Sequence, residues 1–323
     1  MADRFNSSSD EWLNFYNENG YVILTNLISE SALDSAKRGC DKLIDQLADR
    51  LISKKKVSSK CESEPFEKRL ITLCKGCETD LPNLFRNELH TEEFHPFLFD
   101  ENLIAAVRRI LNPNLESLRI YPNYTVRPKT PSLLHEVVWH QDAGLGSDGG
   151  PAKASVEERM DSFGLDSVVN CWSPLVPANA RNGAMKFIPK SHKTGLLIHE
   201  KVGTYAGATG SGEKLDVNAS SGAAAKIGAF ITTINRPDME KVEHLAIDIE
   251  MNPTDVVFFN NILVHRGGSN TSEGIRWSVD WRFQDASKPT HRDEDGHVCW
   301  RKKGMGGDVI QGPADWASRN LFS

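Results

Sequence analysis

Two regimes of hydrophobic patterning divide the chain. Up to about residue 112 apolar positions recur at helical spacing; after about Ser117 they fall in short runs separated by Gly, Pro and Asn turns. In the first regime Asp10 is placed to cap a helix through Tyr16, with Trp12 and Phe15 on one face. Gly20 ends it, and Tyr21, Val22, Ile23 and Leu24 read as a buried strand. Ser29 or Ser31 opens a second helix, whose apolar stripe is Leu33, Leu43, Ile44, Leu47 and Leu51. Lys54 to Lys60 reads as a solvated basic turn, and a further helix covers Leu103–Leu111, stopping before Asn112-Pro113.

In the second regime the expected strands are Ser117–Tyr121, Tyr124–Val126, Glu136–His140, Ser167–Ser173 and Ala184–Ile188. Ala229–Ile234, His244–Ile249, Val256–Asn260, Ile262–His265 and Arg276–Phe283 follow. Leading helices followed by many short strands predict a mainly β fold, a sandwich or barrel with flanking helices outside it. The expected organisation is one domain over residues 1–323, with helices at about 9–112, a β core at about 117–285 and a tail at 286–323. Two segments fit neither pattern: Ala143–Asp166, rich in Gly with a short helical run at Val156–Met160, and the Gly/Ala/Ser-rich His199–Lys226. The first begins beside the chemistry described next and reads as a lid; the second reads equally as a plain insertion.

Composition adds exclusions. The chain has 323 residues and 38 Lys+Arg against 44 Asp+Glu, a net charge of −6, which disfavours nucleic-acid binding. No apolar run approaches the ~18–20 residues of a membrane span. Met1 to Asp10 is polar, without a signal core, and six cysteines are too sparse for a disulfide scaffold. The expected setting is cytoplasmic, the expected partner a small-molecule substrate, and no oligomeric state is specified.

Trp139-His140-Gln141-Asp142 ends a strand in His-x-Asp, and side chains at i and i+2 of a strand share a face. Downstream, Asp255-Val-Val-Phe-Phe-Asn-Asn-Ile-Leu-Val-His265 brings a histidine to the end of an apolar run. Two His and one carboxylate form the facial triad of non-haem Fe(II) oxygenases, and a catalytic zinc site uses the same ligands. A hairpin centred near Asn270-Thr271 would set Arg276 directly opposite His265, where a guanidinium suits the far carboxylate of a chelating co-substrate. Arg276, Ser278, Asp280 and Arg282 alternate with Trp277, Val279, Trp281 and Phe283, so one face is polar and one apolar.

With these motifs the chain resembles the phytanoyl-CoA dioxygenase family of Fe(II)- and 2-oxoglutarate-dependent oxygenases. The resemblance runs from Phe15-Tyr-Asn-Glu-Asn-Gly-Tyr-Val-Ile through Arg127-Pro128, the His140 motif and Asn182-Gly-Ala-Met-Lys-Phe-Ile-Pro-Lys-Ser-His192. It continues through His265 and Arg276-x-Ser278 to Trp281-Arg-Phe. It implies a double-stranded β-helix (jelly roll), with His140, Asp142 and His265 as catalytic metal ligands for Fe(II). Arg276 and Ser278 then hold the distal carboxylate of 2-oxoglutarate, with Asn170 and Trp172 on a strand flanking it. O2 is the oxidant, succinate and CO2 are released, and a small organic molecule is hydroxylated or otherwise oxidised. A carboxylate at position 142 favours this over halogenation, which needs its coordination site for chloride. The alternatives are a metal-dependent hydrolase on the same scaffold, which has no use for Arg276, or a binding protein that keeps the fold without turnover.

Other candidates read as structural. Cys74-Lys-Gly-Cys77 has redox spacing without a supporting context, and His192 stabilises its own turn. His135, His244, His291 and His297 read as surface or loop residues, and Trp300–Lys303, with Arg292 near it, as a basic–aromatic patch in a solvated C-terminal loop, the alternative being contact with an anionic substrate.

Overall fold

The computed structural model describes residues 2–131, 137–145, 167–204, 208–209, 230–290, 292 and 294–319. Most of Ala143–Asp166 and of His199–Lys226, together with His135, Glu136 and His291, lies outside them, so the expected lid falls there too. In chain order the elements are β1 (Arg4–Phe5), α1 (Glu11–Asn19), β2 (Tyr21–Leu24), α2 (Glu30–Ser53), α3 (Phe66–Leu73) and β3 (Pro82–Leu84). Next come α4 (His95–Leu98), α5 (Glu101–Leu111), β4 (Ser117–Ile120), β5 (Thr125–Lys129), β6 (Val168–Pro174) and β7 (Met185–Phe187). The chain continues with β8 (His199–Thr204), β9 (Ala208–Thr209), β10 (Phe230–Ile234), α6 (Arg236–Val242), β11 (Ile247–Ile249) and β12 (Val256–Asn260). It ends with β13 (His265–Gly267), β14 (Arg276–Asp285), β15 (His297–Arg301) and α7 (Pro313–Ser318).

The jelly-roll core has a large sheet in the order β1-β2-β12-β6-β14-β4-β15, with β5 also on β14, and a small sheet β11-β7-β13. Two side-chain periods build the layers. On the outer face of the large sheet, Trp277, Val279, Trp281 and Phe283 of β14 pack against the stripe of α2 (Leu33, Leu43, Ile44, Leu47, Leu51) and against α5. On its inner face Ile23, Trp172, Val257 and Phe259 meet Met185, Phe187 and Ile249 of the small sheet. At ~25 cal/mol per Å2 each large side chain buried in these layers contributes about 1.5–3 kcal/mol. Ser29 caps α2 through the Ala32 N–H, as the sequence predicts. Asp10 stands at the α1 N-cap position but its carboxylate accepts from Arg109 instead, and makes no cap bond.

Two expectations need correction. Residues after Asp285 are not a bare tail: β15 pairs antiparallel with β4, and Trp316 of α7 is fully buried, its Nε1 donating to Leu89 O at 2.8 Å. Trp300, expected in a solvated loop, lies in β15 beneath the Arg108 guanidinium at 3.6 Å. His297 is half-buried in the same strand against Trp316 and His90. The second correction concerns Arg276 and His265. They do not face one another across a hairpin, because β13 belongs to the small sheet and β14 to the large one. Arg276 pairs in register with Lys129 of β5, while His265 pairs with Phe187 of β7.

Candidate active site

The three metal-ligand candidates meet where the small sheet is extended by one bridge. His140 pairs with His265 through reciprocal backbone hydrogen bonds of 2.9 and 3.0 Å, which sets the two imidazoles 4.1 Å apart, centroid to centroid. Asp142 then enters a short 3-10 turn, Asp142–Gly144, rather than continuing a strand. Its Oδ1 lies 3.5 Å from His140 Nε2 and 4.0 Å from His265 Nε2, and one ligand atom from each residue falls within a 4.8 Å cluster. The sequence predicts this meeting, but the turn achieves it.

Each histidine presents Nε2 to the cluster because its other nitrogen is engaged. Nδ1 of His140 donates to Val138 O at 2.8 Å, and Nδ1 of His265 to Leu263 O at 2.9 Å, in the tautomer a metal ligand needs. Burial, reinforced by His140, pushes His265 down to about 3, so its imidazole is neutral. Phe259 and Phe187 flank that ring at centroid distances of 4.9 and 6.0 Å. For Asp142, burial favours the protonated form, but the adjacent Arg282 charge outweighs it and holds the carboxyl well below its usual range.

Arg282 donates to Asp142 Oδ2 from Nη2 at 2.6 Å and from Nε at 3.1 Å. That leaves Oδ1 as the oxygen turned toward the imidazoles. Between the two ligands, Gln141 is fully buried and locks the segment. Its Nε2 donates to Gly195 O at 2.9 Å and Ile262 O at 2.6 Å, its Oε1 accepts from Leu197 N at 2.7 Å, and its own N–H donates to His199 Nε2 at 2.9 Å. The His199 ring lies so close that a Cβ on Gly144 would stand 2.2 Å from it, which requires glycine there. Sequence reasoning missed the roles of Arg282, Gln141 and His199. The alternation on β14 marks Arg282 as inward-facing, but no local signal names Asp142 as its partner.

The second half of the site lies on the inner face of β14. Arg276 is 4% exposed, donates to Ser278 Oγ and to Gly183 O at 3.1 Å, and rests with its guanidinium carbon 5.1 Å from the Trp172 ring centroid. Gly183 has φ +84°, and a Cβ there would stand 2.8 Å from Gly268 O, so this carbonyl depends on glycine. The Arg276 Nε has no hydrogen-bond partner, and among the described residues no carboxylate pairs with this arginine. Burial, then the Arg127 charge, pushes the Arg276 guanidinium down to about 9. Asn170, 1% exposed, leaves both its side-chain atoms without partners on the same face. A buried cation without a carboxylate among the described residues and a buried amide without hydrogen-bond partners are what a bound dicarboxylate would satisfy. Cys74 lies in the core beneath the helices instead, its thiol pushed up to about 12 by burial, and takes no part here.

The family model for phytanoyl-CoA dioxygenase matches residues 16–278. A peroxisomal phytanoyl-CoA dioxygenase from Bos taurus is 22% identical over 289 residues, spanning 87% of this chain and 70% of the bovine protein. Among solved structures, EctD from S. alaskensis with 2-oxoglutarate and 5-hydroxyectoine superposes with a TM-score of 0.51 at 13% identity, over 88% of this chain and 78% of that one. The non-heme alpha-ketoglutarate-dependent carbocyclase SnoK from nogalamycin biosynthesis gives a TM-score of 0.50 at 15% identity, over 96% and 97% of the two chains. Because the family model spans most of its length, the chain belongs to the phytanoyl-CoA dioxygenase family.

Proposed function

We propose that this protein is an Fe(II)- and 2-oxoglutarate-dependent oxygenase acting on a small organic molecule, and that residues 1–323 work as one catalytic domain. His140, Asp142 and His265 are the metal ligands; Arg276 and Ser278, with Asn170 and Trp172 beside them, take the co-substrate. The observation that carries the reading is the buried Arg276, without a carboxylate partner among the described residues, set in the same interior as a two-His, one-carboxylate cluster. A hydrolase using those ligands would leave that guanidinium uncompensated, at a cost of several kcal/mol.

When bound, Fe(II) with 2-oxoglutarate and O2 supplies an oxidation that releases succinate and CO2 as the substrate is oxidised. The chain's own contribution is position and dryness. The Nδ1 hydrogen bonds hold both imidazoles in one tautomer, and Arg282 turns a single Asp142 oxygen inward. Phe187 and Phe259 exclude water from the His265 side, and Arg276 anchors the anion at the far end of the cleft. Among the described residues no helix is long and apolar enough to cross a membrane. The six cysteines are free thiols, which supports a reducing compartment such as the cytoplasm.

The test is anaerobic titration with Fe(II) and then 2-oxoglutarate, followed by succinate measurement once O2 is admitted. His140→Ala, Asp142→Ala and His265→Ala each abolish Fe(II) binding and succinate release while the circular dichroism spectrum is kept. Full activity in any one of them overturns the metal assignment.

A further inference from the structure

Beyond Asp142, on the side away from Arg276, a cleft of about 40 Å3 opens between the end of β14 and the segments around Tyr121 and Thr290. That is room for roughly three water-sized groups, the end of a substrate rather than the whole of it. We propose that Gln284 is a substrate-positioning residue of this cleft, and that the group it holds is uncharged and presents an O–H or N–H, from a hydroxyl or a carboxamide, to Gln284 Oε1. The inference rests on the oxygenase reading, since it places the substrate beside the metal ligands.

Most polar groups of the described lining are already matched. Tyr121 Oη donates to Thr290 O at 2.8 Å and accepts from Arg292 Nε at 3.1 Å. Thr290 Oγ1 donates to Glu294 O at 3.0 Å and accepts from Arg292 N at 3.2 Å. Asn123 Oδ1 accepts from Arg86 Nη2 at 3.2 Å, and Arg282 is met by both Asp142 and Asp280. Gln284 is different. It is 1% exposed and lines the cleft, and its Nε2 donates to Pro289 O at 2.9 Å. That bond fixes which end of the amide is oxygen, and Oε1 is left buried without a partner. A buried acceptor left unmet costs about what a lost hydrogen bond costs, so a ligand that brings a donor recovers it.

Position and charge narrow the ligand. Gln284 follows Arg282 by two residues on the same face of β14, about 7 Å at ~3.4 Å per residue, so its amide lies beside the group that holds Asp142. Its backbone is registered with Val168 of β6 on one side and Arg119 of β4 on the other, which fixes the acceptor before a ligand arrives. An anion would set its oxygens against Oε1, acceptor against acceptor. A cation would lie against the guanidinium groups of Arg282 and Arg292 in the same lining. An uncharged donor meets neither objection, and Asn261 adds a second neutral amide to the lining. The co-substrate is not that ligand. Its anchor Arg276 lies eight residues along β14 from Gln284, about 27 Å at ~3.4 Å per residue.

Five probes of similar size separate the cases: propan-1-ol, propionamide, methyl ethyl ether, propionate and propylammonium. They are measured by ligand-observed NMR on the full chain loaded with 2-oxoglutarate and Zn(II), which prevents turnover. At least one of propan-1-ol and propionamide binds about fivefold or more tightly than the ether, the effect of one hydrogen bond to an otherwise unmet buried acceptor. The stronger of the two says whether the group is a hydroxyl or an amide, and both charged probes bind more weakly than it does. Gln284→Met, which removes the acceptor, abolishes the preference over the ether; Gln284→Glu, which keeps an oxygen there, retains it. With Mn(II) in place of Zn(II) the resonances of the bound donor broaden, as a probe beside Asp142 requires, and that readout needs no variant. The proposal is overturned by an ether that binds as tightly as both donors, by a charged probe that binds tightest, or by no binding of any probe. It is equally overturned by a preference that survives Gln284→Met or is lost as fully in Gln284→Glu, or by the absence of Mn(II) broadening. 2-Oxoglutarate is titrated in the same samples. If it fails to bind the wild-type chain, the oxygenase reading falls and takes this inference with it; if it binds and no donor preference appears, this inference alone is wrong.

Discussion

Arg282 is the residue whose removal tests the construction of the site most directly. Its guanidinium and the Asp142 carboxylate are both nearly buried, 11% and 7% exposed, and joined by contacts of 2.6 and 3.1 Å. Removing one partner of such a pair costs about 3–5 kcal/mol, because the other charge is left desolvated. Arg282→Gln alone overstates the pair, since Arg282 also donates to Asn123 O at 3.1 Å and lies 3.6 Å from Asp280 Oδ1. A double-mutant cycle of Arg282→Gln with Asp142→Asn cancels those extra losses. The expected coupling in the metal-free protein is about 3 kcal/mol, at the low end of that range because Asp280 still neutralises Arg282 once Asp142 is gone. Urea denaturation of the four proteins, with common slopes, gives the number. A coupling below about 1 kcal/mol would mean the pair is no stronger than a solvated surface bridge. Arg282 would then be available to a ligand, and the single inward-facing oxygen of Asp142 would lose its explanation.

Three further outcomes are expected. Arg276→Ala weakens 2-oxoglutarate binding by about 2–4 kcal/mol, roughly 30- to 1000-fold, with a far smaller change in Fe(II) affinity; an unchanged half-saturation for 2-oxoglutarate refutes its role as anchor. Trp316→Ala lowers unfolding free energy by about 3–5 kcal/mol, as for other buried Trp truncations; a loss under about 1 kcal/mol in urea would show that α7 is not integral to the fold. His90 is pushed down to about 3 by burial and then by His297, while its ordinary value is 6.5. The unfolded chain therefore takes up the proton first, so stability is complete above 6.5 and lost as pH falls toward 3. The share due to His90 between pH 8 and pH 5 is about 2 kcal/mol, and His90→Gln should flatten the acid limb by that much; identical limbs for the two proteins exclude it.

How much of this was legible in the sequence varies with the range of the interaction that decides it. The strand Val256–Asn260, the stripe of α2 and the two faces of β14 follow from local periodicity, because burial selects residues one by one at fixed spacing. The clustering of the three candidate donors was legible because His140 and Asp142 are neighbours in sequence and His265 ends a strongly apolar run. Pairing was not. The hairpin reading placed Arg276 against His265, but the intervening residues 268–275 are too long for a tight turn and carry the chain from the small sheet to the large one. Length alone signalled that crossing. β15 and α7 escaped for a related reason: their burial depends on β4, Leu89 and His90, far away in sequence.

The inner face of β14 shows why the site tolerates so much buried charge. Arg276, Ser278, Asp280 and Arg282 sit on one strand whose other face is Trp277, Val279, Trp281 and Phe283, all fully buried. The aromatic face fixes the strand against the helices, so the polar face is rigid before any ligand arrives, and little ordering remains to be done on binding. Along that face the charges are sorted rather than uniformly paired. Asp280, despite burial, stays below its usual range because Arg127 and Arg282 flank it, and Arg282 is shared with Asp142. Arg276 alone in this row is left with neutral partners, Ser278 and Gly183. A buried cation with no carboxylate among the described residues, at one end of an otherwise compensated row, is costly to keep without an anion. Its position, remote from Asp142 along the strand, therefore predicts which end of the cleft a dicarboxylate enters.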